Sequence, residues 1–154
     1  MGTRLIAMTA GVVAIAVIAA GCGSSSNDTT SALTKAEFIS QGDAICEKGN
    51  KEIETGFEAF LKENGIKGEP SKAQGVELSE TVLIPSVKSQ SEELRDLGAP
   101  SGEEDEVSAM LDALDEGVEE AEEDPEALLA SESDPFGPAN KMATEYGLKV
   151  CGRE

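Results

Sequence analysis

The side chains with chemical potential in this 154-residue chain are carboxylates, serines, lysines and three cysteines; histidine and tryptophan are absent. Without histidine there is no imidazole general base, no histidine-based nucleophile triad and no histidine zinc site. No G-x-S-x-G or S-x-x-K motif activates a serine. No glycine-rich phosphate loop and no EF-hand spacing occurs. Carboxylates are plentiful, but an acid–base pair needs two environments that split its pKa values, and the sequence offers no buried setting for one. The expectation is a chain that is not an enzyme, with no catalytic residue, metal site or cofactor.

The three cysteines are Cys22, Cys46 and Cys151. A redox motif would need close spacing such as C-x-x-C, which is absent. Cys22 stands apart by its context. A short positive start ends at Arg4, and residues 5–20 carry no charge, with Thr9 as the polar exception. Sixteen helical residues span about 24 Å, short of the ~30 Å hydrocarbon core, so the segment suits a secretion signal better than a membrane span.

The end of that segment, Ala19-Ala20-Gly21-Cys22, resembles the lipobox of bacterial lipoproteins. The resemblance implies that a diacylglyceryl group is attached to the Cys22 thiol and that the chain is cut just before it. One departure is Ala19, where the usual lipobox has Leu. A Gly/Ser-rich polar run follows at once (Gly23, Ser24, Ser25, Ser26, Asn27), suited to a flexible tether. The expected organisation is a signal over residues 1–21, a lipidated tether over 22–33 and a helical extracytoplasmic domain over 34–154. The membrane would be met through the lipid.

The mature part is then 133 residues, enough for one domain with a modest core. It carries 11 basic against 31 acidic residues, a net charge of −20. Such a surface repels nucleic-acid phosphates and anionic lipid headgroups alike. With Cys22 used by the anchor, Cys46 and Cys151 form an even pair in an exported chain. They are either two buried thiols or a disulfide, and the compartment favours the disulfide. It would close a loop of about 105 residues, contributing ~4–5 kcal/mol in the chain-entropy treatment.

The domain shows no sustained strand-like alternation and no internal repeat. The pattern is that of an all-α bundle of about four helices tied by one disulfide. The first starts at Thr34, with Glu37 completing a capping box, and Phe38, Ile45, Ile53, Phe57, Phe60 and Leu61 set its apolar stripe. Asn64 and Gly65 stop it. The second starts at Ser71 with Gln74 as partner and runs to Gly98; Pro85 predicts a kink or break near Ile84. The third is expected from Ser101 with Glu104 as partner, and Val107, Met110, Leu111, Leu114, Val118 and Ala121 follow the i, i+3, i+4 rule. Asp124 and Pro125 stop it and open a short turn. A loop over residues 131–138 leads to the last helix, residues 139–146, ended by Gly147. The tail from Leu148 to Cys151 is expected to run extended against the bundle. Tyr146, the single tyrosine, fits a core position with its hydroxyl at the edge.

Two short motifs, Phe38 to Cys46 (F-x(6)-I-C) and Tyr146 to Cys151 (Y-G-x(3)-C), resemble those of a group of small exported bacterial proteins and lipoproteins. The resemblance spans most of the mature chain. It implies a helical, disulfide-tied domain and carries no activity with it.

The charge is unevenly spread. Residues 101–134 hold fifteen acids and no base. On the third helix Asp112/Glu116, Asp115/Glu119, Glu116/Glu120 and Glu119/Glu123 are like charges at i, i+4, each costing ~0.2–0.5 kcal/mol. A solvated face accounts for them; a surface for a cationic partner at residues 101–124, or for divalent ions, is the functional alternative. The expected role is a membrane-anchored interaction or structural domain of the cell envelope. The alternative is a small-ligand-binding module with a pocket between helices. A filled core with a broad exposed patch would favour the first, and an apolar pocket with a few polar groups the second.

Overall fold

Thr34 starts the first helix as its spacing predicts. In the computed structural model, which describes residues 33–130 and 134–153, the Glu37 N–H donates to Thr34 Oγ1 at 3.3 Å and the Thr34 N–H donates to Glu37 Oε2 at 2.9 Å. The signal 1–21, Cys22 and tether residues 23–32 lie outside the described residues. Helix α1 runs Lys35–Glu63 and ends at Asn64, with Gly65 at φ +65°. The same box, now Ser71 with Gln74, opens α2, Lys72–Leu78.

Pro85 does not break the second helix. Its ring would meet the Thr81 carbonyl in a regular α-helix, and it has no N–H to donate. The backbone widens just upstream into a π-helical stretch, Ser79–Leu83, where the Ile84 N–H reaches back five residues to the Ser79 carbonyl. The wider turn absorbs the proline, and α3, Ile84–Leu97, continues the same rod. Helix α4 spans Glu104–Glu123, a 3₁₀ turn follows at Ala127–Leu129, and α5 spans Gly137–Tyr146. Gly147, at φ +116°, caps α5 with its N–H on the Ala143 and Thr144 carbonyls. Among the described residues the fold is therefore four helical rods and no strand, an all-α bundle tied by the Cys46–Cys151 disulfide.

Two local expectations need correction. The Ser101–Glu104 capping box does not form. Gly102 takes φ +87°, the chain turns there, and the Glu104 carboxylate instead accepts from the Gly102 N–H at 2.8 Å, so α4 starts at Glu104 without a side-chain cap. The tail after Gly147 is not extended. It bends, because the Asp43 carboxylate on α1 gathers the N–H groups of Lys149 and Val150, both at 2.8 Å.

The packing explains which apolar residues were needed. Phe38 and Ala121 are fully buried, and Leu148 and Leu94 nearly so. Phe57 is the departure from the α1 stripe: at 37% exposure it faces out. Gly42, Gly49 and Gly56 recur every seven residues on α1. A Cβ at each would meet the Leu148, Gln90 or Val82 side chain at 2.9, 2.2 and 2.6 Å, so a larger residue there requires those side chains to shift. Gly117 serves α4 likewise; a Cβ there would sit 2.5 Å from the Pro135 carbonyl oxygen.

Buried residues form two groups rather than one. The larger joins Phe38, Cys46, Val107, Met110, Tyr146 and Leu148 with their neighbours. The smaller is Ile84, Val118 and Ala121, with Val87, Leu128 and Phe136 packed against it. A small domain usually has one contiguous core. A recess is lined by members of the larger group and by Val87 and Phe136, which pack against the smaller one.

Candidate functional site

The recess has a volume of about 180 Å³ and opens between the helices. Each element contributes to its wall for the reason it folds. From α1 come Cys46, Asn50 and Ile53, two adjacent turns of one face. The π stretch and α3 supply Leu83, Val87, Gln90 and Leu94. Met110, Leu111 and Leu114 line it from α4, and Phe136, Ala139, Asn140 and Ala143 from the start and middle of α5. The bent tail closes one side with Leu148, Val150, Cys151 and Arg153. The disulfide is thus part of the wall. Leu114, half-buried where its apolar neighbours on α4 are fully buried, is the residue of that stripe that faces the gap.

Polar groups sit among these apolar walls in small number. Asn50 and Arg153 are exposed and Gln90 and Asn140 half-buried, so they mark the open side. Gln90 lies across Gly49 and donates Nε2 to the Ser86 carbonyl at 3.3 Å. Arg153 donates Nε to the Lys149 carbonyl at 3.0 Å.

Tyr146 sits deep, as its core reading requires. Its ring meets Phe38 edge-on at 5.7 Å, and Lys35 Nζ lies 3.9 Å from the ring centre. Its hydroxyl donates to Glu103 Oε2, which also pairs with Lys35 at 3.6 Å. Burial, and then the hydrogen bond to an anionic acceptor, push the Tyr146 hydroxyl above its ordinary pKa. These contacts tie α5 to the start of α4 and to the start of α1.

The acidic α4 meets the two bases of the neighbouring helix. Arg95 bridges Asp112 at 3.0 Å and Asp115 at 2.5 Å, and Lys88 pairs with Glu122 at 3.0 Å. Ser91 is buried and donates to Asp115 at 2.6 Å. These pairs raise the Arg95 and Lys88 pKa values above their ordinary range. Among the described residues no three or more acidic or sulfur side chains converge on a point where a metal ion could sit. Among them, too, no helix is long and apolar enough to cross a membrane.

Of the residues singled out from sequence, Cys46 and Cys151 are brought together, with an S–S distance of 2.06 Å. Cys22 lies outside the described residues. Sequence reasoning missed Asp43, whose two-residue grip on the tail depends on a partner 106 positions away, and missed the recess. The glycine spacing at 42, 49 and 56 was the available signal for close packing on α1. No protein-family model, curated protein or solved structure matches the chain.

Proposed function

We propose that this protein is a lipid-anchored binding module of the cell envelope, tethered through Cys22 on the extracytoplasmic face, whose helical domain takes a small apolar ligand into the recess between its helices. The observation that carries the ligand reading is the recess of about 180 Å³ between the helices, with fourteen apolar residues and four polar ones in its lining. Ligand sites are concave, mostly apolar and furnished with few polar groups. A purely structural envelope protein would gain stability by filling that gap with larger side chains. Support for the anchor is the lipobox-like run ending at Cys22 and the polar stretch after it.

Two measurements test the halves separately. Expressed in a lipoprotein-competent bacterium, the protein should partition into detergent, and Cys22→Ser should release it or block its processing. A mature product starting elsewhere and carrying no lipid overturns the anchor. For the recess, toluene should shift the methyl resonances of Leu111, Leu114 and Val87 saturably. Leu114→Trp, which fills the space, should abolish those shifts while the helical circular dichroism stays intact. Shifts that fail to saturate, or that survive Leu114→Trp, overturn the ligand reading.

A further inference from the structure

We infer that the recess takes a compact apolar molecule whose one polar head is a hydrogen-bond acceptor, a carboxylate or carbonyl, and that it rejects an ammonium head. The inference rests on the ligand reading above and adds the chemistry of the ligand. Its first support is what the wall leaves out. Acids make up 31 of the 154 residues, about one in five, yet among the described residues none of the 18 that line the recess is Asp or Glu. Fourteen of the 18 are apolar, and the four polar ones are three amides and a base: Asn50, Gln90, Asn140 and Arg153. Burial accounts for the apolar wall; at the exposed open side, where a charge is tolerated, the charged lining residue is the base Arg153.

The second support is the donors that stand at the open side. Asn50 and Asn140 each carry an amide NH₂, Gln90 spends its own on Ser86, and Arg153 carries a guanidinium with five N–H donors and no acceptor. Arg153 commits its Nε to the Lys149 carbonyl. The guanidinium is the planar fork that matches a carboxylate. An ammonium head would find amide oxygens and a like charge, and no carboxylate among the lining residues.

Size sets the rest of the ligand. A 150 Å³ engineered cavity holds benzene, so about 180 Å³ accommodates a six-membered ring or a short branched chain, with a head of two or three atoms at the mouth.

The preference runs against the protein's own long-range field. A chain with a formal charge of −19 draws cations and repels anions at low salt. A preference for an anion can therefore come only from local donors, which makes the comparison of matched heads decisive. Benzoate, benzamide, benzylamine and toluene share one ring and differ in the head. Titrated into the intact domain at physiological ionic strength and followed by methyl resonances, benzoate and benzamide should bind at least tenfold more tightly than benzylamine. Arg153→Gln should cut the benzoate-to-toluene affinity ratio about tenfold, and Arg153→Lys should restore part of it. Failure of all four probes overturns the ligand reading itself. Binding of toluene with benzylamine equal to or tighter than benzoate leaves that reading standing and overturns the acceptor-head inference. An affinity ratio unmoved by Arg153→Gln removes Arg153 from the site and overturns its assigned role.

Discussion

Tyr146 is the single tyrosine of the chain, so the state of its hydroxyl can be measured without interference from another. Burial disfavours the phenolate, and the Glu103 acceptor favours the proton further. The folded hydroxyl thus holds its proton above the ordinary value of about 10. Stability from this effect is whole below pH ~10 and is lost as pH climbs through the folded value, because the unfolded chain gives up the proton first. Titrating the tyrosinate absorbance should place the midpoint above 10 in the native protein. Glu103→Gln should bring it part of the way down, since burial persists while the charge goes. A native midpoint at or below 10 contradicts the buried geometry. The sequence was informative about Tyr146 because a large amphipathic residue beside a helix-ending glycine has few places to go. It was silent on Asp43, an acid among thirty-one whose partners are backbone groups in a bent tail.

At the scale of single elements, the helix starts divide along physical lines. Thr34 and Ser71 cap as their local sequence dictates, since both boxes are satisfied within three residues. Ser101 does not, because Gly102 offers a positive-φ turn and the neighbouring carboxylate finds a nearer N–H. Pro85 marks an obstacle in the sequence, and the backbone meets it with the π stretch Ser79–Leu83 just upstream. Helix α4 keeps Glu116, Glu119, Glu120 and Glu123 exposed, with Arg95 and Lys88 serving Asp112, Asp115 and Glu122. Two cations do not offset the rest. Sodium chloride should therefore raise the melting temperature progressively by screening, with most of the gain once the Debye length falls to ~8–10 Å. Calcium at matched ionic strength should add nothing further. A saturable calcium-dependent rise, removed when Asp112, Asp115, Glu116 and Glu119 become amides, would show that the exposed face gathers ions specifically.

For the whole molecule, fold class and disulfide pairing were legible because both follow from periodicity and from counting. The recess was not. It arises where four rods and a tail fail to meet, a property of packing that no single stretch of sequence encodes. Its dependence on the Cys46–Cys151 bond gives a further expectation. Reduction should lower stability by up to about 4–5 kcal/mol, the entropy of freeing a loop of 105 residues. It should also weaken toluene binding, since Leu148, Val150 and Cys151 form one wall. An oxidised and a reduced protein that bind toluene equally would detach the tail from the site.

The grip of Asp43 on Lys149 and Val150 has a consequence for how the protein is made. Helix α1 is the first part of the domain to emerge during synthesis, and the groups that complete its surroundings are encoded more than a hundred residues later. Until residues 148–151 have appeared, Gly42 faces no Leu148, Asp43 has no amides to hold and Cys46 no partner. Local helices can form early, but the larger core cannot close piecemeal behind the advancing chain. Closure waits on long-range contacts whose loop entropy must be met first, which slows folding. The larger core therefore closes only after the last residues of the tail, 148–151, have been made.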